Sequence, residues 1–116
     1  MKIIRNKFIP FDGFAAINIC GLVFTKKKTL SDKTINHEEI HTLQMKELWY
    51  IGFYLIYCLE YLIYLICGNK PHAAYRKISF EQEAYMFEKV SEYPRIRKKY
   101  TWVLFLLKNL GKKVRL

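Results

Sequence analysis

The pattern of apolar and polar positions changes character along the chain. Residues 14–25 (FAAINICGLVFT) are rich in β-branched and aromatic side chains and are closed by the run Lys26-Lys27-Lys28. This predicts a strand, or a hairpin bending near Gly21. The pattern then turns helical. Asn36 with Glu39 fits a capping box, and Ser31 offers an earlier start, for a helix running through residues 37–50. Gly52 is the only breaker before Gly68, and Gly68-Asn69-Lys70-Pro71 reads as a turn. Ser79 with Gln82 forms a second capping box, opening a helix that ends near Pro94. A last helix covers residues 100–110, with Gly111 as its stop. The expected class is mainly α with a short N-terminal strand or hairpin, an α+β fold.

Residues 48–67 hold a single charge, Glu60, over a length that crosses a bilayer as a helix. Tyrosines at 50, 54, 57, 61 and 64 fall on a stripe about 80° wide at helical spacing. Tyrosine favours interfaces, and Glu60 sits deep in the run, where an ionised carboxylate is costly. The segment therefore reads as a buried or interfacial helix. The tyrosine stripe and Trp49 read as packing, and Glu60 needs a partner such as Arg76 or a tyrosine hydroxyl.

Composition narrows the picture. The chain has 116 residues, 52% apolar and 26% charged, which fits one domain over residues 1–116 and excludes a disordered tail. Three cysteines, an odd number, exclude a disulfide scaffold and point to reduced thiols in apolar packing. The net charge of +10 is uneven: residues 1–28 carry +5, residues 29–92 carry −3 and residues 93–116 carry +8. Arg95, Arg97, Lys98 and Lys99, then Lys112, Lys113 and Arg115, flank the apolar run 102–107. Such an amphipathic foot suits an anionic membrane surface. No nucleic-acid recognition motif accompanies it, so nucleic acid is not an expected partner. Lys2, Arg5 and Lys7 before an apolar run imitate a signal peptide, but Pro10, Asp12 and Gly13 interrupt it and lysines follow it. No cleaved leader is expected, and the chain is placed in the cytoplasm or against the inner face of the membrane.

The chemistry concentrates in His37-Glu38-Glu39-Ile40-His41, an H-E-x-x-H motif. On a helix, positions i and i+4 project from one face, so both imidazoles can reach one ion, with Glu38 placed to take a proton from water. Zn²⁺ suits such a donor set and makes water acidic near neutrality. A catalytic site needs a third protein ligand, and Glu60, Glu81 and Glu83 are the carboxylate candidates. Glu60 lies nineteen residues after His41, Glu81 lies in the first turn of the 79–94 helix, and Glu83 points elsewhere on that helix. The remaining histidine is His72.

The segments HEEIHTLQ, LWYIGFYLIYCLEY and AYRKISFEQEAY, within about residues 35–88, resemble the small HExxH metallopeptidase-like proteins of bacteria, of minigluzincin type. In these an H-E-x-x-H-x-x-Q helix is followed by an F-E-x-E-A segment. The resemblance implies a zincin-like minimal fold and a zinc site of His37, His41 and Glu81, with Glu38 as general base. In the related E-x-x-A-D pattern of membrane-associated zinc proteases, the glutamate three before the alanine is the ligand. Here that is Glu81, before Ala84, while Tyr85 replaces the acidic residue.

Reach then constrains the fold. In one straight helix over 37–67, Cys67 would lie about 39 Å beyond His41. The connection 68–80 spans about 43 Å at full extension. Returning Glu81 to the imidazoles therefore requires a bend, placed near residues 50–52. A single membrane span over 48–67 is incompatible with a shared ion. The implied activity is hydrolysis of peptide bonds in a peptide or protein substrate. Tyr75, Tyr85 and His72 are candidate oxyanion donors, and Gln44 is a candidate for orienting the site. The 14–25 strand offers an edge to an extended substrate. The alternative is a non-catalytic module, keeping a zincin-like scaffold for contact with a membrane surface or another protein.

Overall fold

The computed structural model describes residues 1–8 and 14–111. It is mainly helical, with a small mixed sheet near the N-terminus. The strands are β1 (Lys2–Arg5), β2 (Ile17–Ile19) and β3 (Leu22–Thr25), in the order β1-β3-β2. β2 and β3 form the expected hairpin, with Ile19 opposite Leu22. Cys20 and Gly21 between them have φ of 52° and 88°, the left-handed pair that a two-residue hairpin turn requires. β1 pairs parallel with β3, Lys2 opposite Leu22. The sequence reading missed it because four residues, KIIR, are too few to show a period.

The helices are α1 (Asp32–Glu47), α2 (Ile51–Ile66), α3 (Pro71–Lys77), α4 (Ser79–Phe87), α5 (Tyr93–Ile96) and α6 (Trp102–Asn109). α1 starts at Ser31, whose Oγ accepts the Thr34 N–H at 3.2 Å. The Asn36 capping box does not form. Asn36 lies inside α1, and its Nδ2 reaches the Glu88 and Val90 carbonyls at 2.8 Å, closing the far end of α4. Ser79 is likewise not a cap: it is the first residue of α4, and its Oγ donates to Glu60 at 2.5 Å. Glu60 itself accepts the Ser79 N–H at 3.0 Å, so a carboxylate from α2 takes the capping role. α4 stops at Phe87, short of Pro94, which instead opens α5. α3 also went unread, its seven residues hidden behind the turn that precedes them.

The expected bend is present. The chain bends by 109° from α1 to α2, and no single described helix is long and apolar enough to cross a membrane. The bend lies just ahead of Gly52, at Trp49 and Tyr50, whose φ values are 57° and 62°. Gly52 serves the turn differently: a Cβ there would come within 3.2 Å of the Leu48 Cβ. The core gathers in the angle between the two helices, around Met45, Phe53, Ile78, Phe80 and Trp102. Burying several such side chains, at about 1.5–3 kcal/mol each, holds the bent pair against α4 and α6.

Three packing expectations need correction. Cys20, Cys58 and Cys67 are free, but all are exposed rather than packed. Trp49 is 88% exposed, because the left-handed bend turns it outward. Arg97, assigned to the basic foot, is buried in ion pairs with Glu83 and Glu47. Trp102 and Phe105 of the same segment are buried too. Lys112, Lys113 and Arg115 lie outside the described residues, as do Pro10, Asp12 and Gly13.

Candidate metal centre

α1 presents His37 and His41 one turn apart, and the bend with α3 carries the chain back so that the first turn of α4 faces them. His37 Nε2 and His41 Nε2 are 3.1 Å apart. Glu81 Oε1 lies 3.2 Å from the first and 3.1 Å from the second. Donors about 2.0–2.1 Å from a tetrahedral zinc are separated by about 3.3 Å, so this triangle is within a few tenths of an ångström of that spacing. Glu38 is close as well, with one donor atom each of His37, Glu38 and His41 within 4.8 Å of one another. The shorter separations belong to Glu81. These buried groups can hold a metal ion.

The outer nitrogens fix which atoms face inward. His41 Nδ1 lies 2.8 Å from Gln44 Oε1. Gln44 Nε2 donates to the Phe80 carbonyl at 3.1 Å and to Glu83 Oε1 at 2.9 Å, which assigns its oxygen to His41. His37 Nδ1 lies 2.8 Å from Glu88 Oε2. Both Nδ1 atoms thus face outward acceptors, which leaves both Nε2 atoms at the centre. Two lone pairs and a carboxylate oxygen at this spacing repel unless a proton or a metal cation lies between them. Burial opposes charging of His41, but the Glu81 carboxylate beside it and their hydrogen bond push its pKa up to about 9. Glu81 is correspondingly held well below the usual carboxylate range: burial works against this, and the two imidazoles outweigh it. Glu38 is raised, first by burial, with His41 and His37 working the other way.

The other carboxylates considered are engaged elsewhere. Glu60 accepts from Tyr64 Oη at 2.6 Å in addition to Ser79, a tyrosine partner as expected. Arg76, the other expected partner, instead lies over the Tyr85 ring at 3.6 Å. Glu83 is fully buried and turned away, accepting from Gln44, from Tyr93 Oη at 2.5 Å and from Arg97 Nε at 2.6 Å. Glu81 Oε2 accepts from Tyr57 Oη at 2.7 Å, which leaves Oε1 for the centre.

Glu88 and Tyr57 were not singled out from sequence. Glu88 lies seven residues after Glu81, on the same helical face, and that spacing was the available signal. Tyr57 was hidden among five equivalent tyrosines. The sheet completes the site: Asn18 Nδ2 donates to the Glu38 carbonyl at 3.0 Å and to Thr42 Oγ1 at 2.9 Å, seating β2 on α1.

A cleft of about 880 Å³ opens over the cluster. Its lining includes residues 14–18, the cluster of His37, Glu38, His41 and Glu81, and Tyr75, Tyr85 and His72. Tyr75 and Tyr85 share a hydrogen bond of 2.9 Å. No family model matches the chain, and no curated protein and no solved structure matches it.

Proposed function

We propose that this chain is a zinc-dependent metallopeptidase of gluzincin type acting on peptide or protein substrates. The observation that carries the reading is the convergence of His37 Nε2, His41 Nε2 and Glu81 Oε1 at 3.1–3.2 Å, beside Glu38 and at the wall of a cleft. His37, His41 and Glu81 would hold the ion. When bound, zinc polarises a carbonyl and makes water a nucleophile near neutral pH. Glu38 takes the proton from the attacking water and returns it to the leaving nitrogen. Gln44, Glu88 and Tyr57 keep the three donors aimed inward. Tyr75 and Tyr85, which share a hydrogen bond and line the cleft, are the candidates to steady a developing oxyanion. An extended substrate would lie along residues 14–18, where β2 is the edge of the sheet among the described residues.

Metal analysis of the purified protein beside Glu38→Gln and His41→Ala tests this. The wild type and Glu38→Gln should hold zinc in equal amount, His41→Ala should hold none, and only the wild type should cleave a peptide library. A wild type without zinc, or a Glu38→Gln variant with undiminished cleavage, refutes the reading. Zinc in both proteins with cleavage in neither leaves the non-catalytic interaction module on the same scaffold.

A further inference from the structure

α2 carries a single charge, Glu60, and only part of its circumference is covered. Phe53, Glu60 and Tyr64 face the core. Ile51, Leu55, Cys58, Leu59, Leu62, Ile63 and Ile66 are exposed. At 100° per residue these seven fill an arc of roughly 140°, and none carries a charge or a hydroxyl or amide group. Ile66 is 83% exposed, Ile51 72%, Leu55 67% and Leu59 58%. The strip runs the length of a helix about 24 Å long, with the exposed Trp49 at its start. Scattered apolar residues need no explanation, but a continuous strip of this kind marks a contact surface.

Charge around the strip decides what covers it. Exposed Lys46 stands just before α2. The Tyr100 N–H donates to Glu47 Oε1 at 3.1 Å, which brings exposed Lys98 and Lys99 to that same end. Exposed Lys70 follows α2 directly. Asn109 Nδ2 donates to Tyr64 Oη at 2.9 Å, placing exposed Lys108 near the last turns. Segments 66–80 and 93–111 contain no acidic residue, and the one acid of α2, Glu60, is buried.

We infer that this face of α2 is a membrane-contact surface selective for anionic bilayers. The helix lies in the interfacial plane, its exposed side chains among the upper acyl chains, with Trp49 at headgroup depth and the lysines at both ends on acidic headgroups. Its 16 residues are too short to cross the hydrocarbon, about 30 Å thick, and its other face is committed to the core. A second copy fits the face less well. Two chains of net charge +10 would bring like charges together around the seam, whereas an anionic surface attracts them. The apolar part of the lipid contact thus comes from α2, and the basic segment after Tyr93 supplies lysines to it. This inference is independent of the metal site.

Sedimentation of the full chain with vesicles of phosphatidylcholine, alone or mixed with phosphatidylserine, tests it. The expected result is at least roughly tenfold stronger partitioning to the mixed vesicles, with a blue shift of Trp49 emission that Trp49→Phe abolishes while buried Trp102 stays unchanged. The pair Leu59→Asp with Leu62→Asp should lose binding while keeping its circular dichroism. Lys98→Ala with Lys99→Ala should keep the fold and lose the preference for the acidic lipid. A wild type that sediments with neither vesicle overturns the inference, as does an aspartate variant that binds unchanged. A vesicle-independent dimer that dissolves in the aspartate variant gives the face to a second copy and overturns it too.

Discussion

His37 and His41 lie one turn apart on the same helix, yet their rings are held in different ways. His41 leans on Gln44, and Gln44 on Glu83, a fully buried carboxylate that also takes Tyr93 and both an Nε and an Nη donor of Arg97. Arg97 in turn grips Glu47, which caps the Tyr100 N–H and takes the Trp102 indole. The outer nitrogen of His37 leans on Glu88, whose side chain is 12% exposed. One ring is therefore wired into the contacts that close α1, α4, α5 and α6 together. The other is steadied locally, near the cleft. The two supports, an amide oxygen behind His41 and a carboxylate behind His37, should have unequal consequences when removed.

The largest effect belongs to the buried hub. Glu83→Ala leaves the Arg97 guanidinium with Glu47 alone of its two carboxylates, the Tyr93 hydroxyl without its Glu83 acceptor and Gln44 free to turn. Breaking a buried pair from one side costs about 3–5 kcal/mol. Urea denaturation of the metal-free protein should register that loss, and metal affinity should fall with it. A loss below about 1 kcal/mol would mean that the two imidazole supports do not differ as described.

Glu88→Ala should behave in the opposite way. It removes the acceptor for His37 Nδ1, so the ring loses its orientation. A lost outer partner of a metal-binding histidine costs about 10–100-fold in metal affinity. Global stability without metal should change by less than about 1 kcal/mol, because Glu88 anchors nothing else through its side chain among the described contacts. Chelator competition measures the first quantity and urea the second. A Glu88 variant that unfolds like Glu83→Ala erases the contrast.

This division also marks how far the sequence could be read. The His37–His41 pair was legible because i and i+4 on a helix is a local relation. The bend between α1 and α2 was legible because reach is arithmetic, and its place near residues 50–52 was read to within a residue; its left-handed backbone was not, since Trp49 and Tyr50 are not residues that announce it. The hairpin announced itself through β-branched residues and Gly21, whereas β1 needed its partner strand to be seen. Glu60, Glu81 and Glu83 are indistinguishable as letters; only the resemblance separated them. Tertiary neighbours separate them physically: Ser79 and Tyr64 occupy Glu60, Arg97 and Tyr93 occupy Glu83, and the imidazoles meet Glu81. Arg97 was misread for the same reason. A cation in a basic run looks like surface, and its two acids lie 14 and 50 residues away.

The smallest expected effect tests a third support, which belongs to neither extreme. Tyr57 reaches Glu81 Oε2 from α2, so it ties the position of the carboxylate to the far side of the bend. Burial, and then Glu81 itself, keeps its hydroxyl protonated far above its ordinary range, so it remains a donor at every working pH. Tyr57→Phe keeps the ring, which packs against Phe53 and Phe80, and removes one donor. A hydrogen bond to a charged group contributes about 1.5–3 kcal/mol, but Oε2 is the oxygen turned away from the centre, so only part of this reaches the metal and affinity should drop by about fivefold. The effect should vanish in a Glu81→Gln background, since the two residues act through one contact. Additive losses in that double variant would show that Tyr57 steadies the cleft wall rather than the carboxylate. The three supports would then reduce to the two on α1's own side chains.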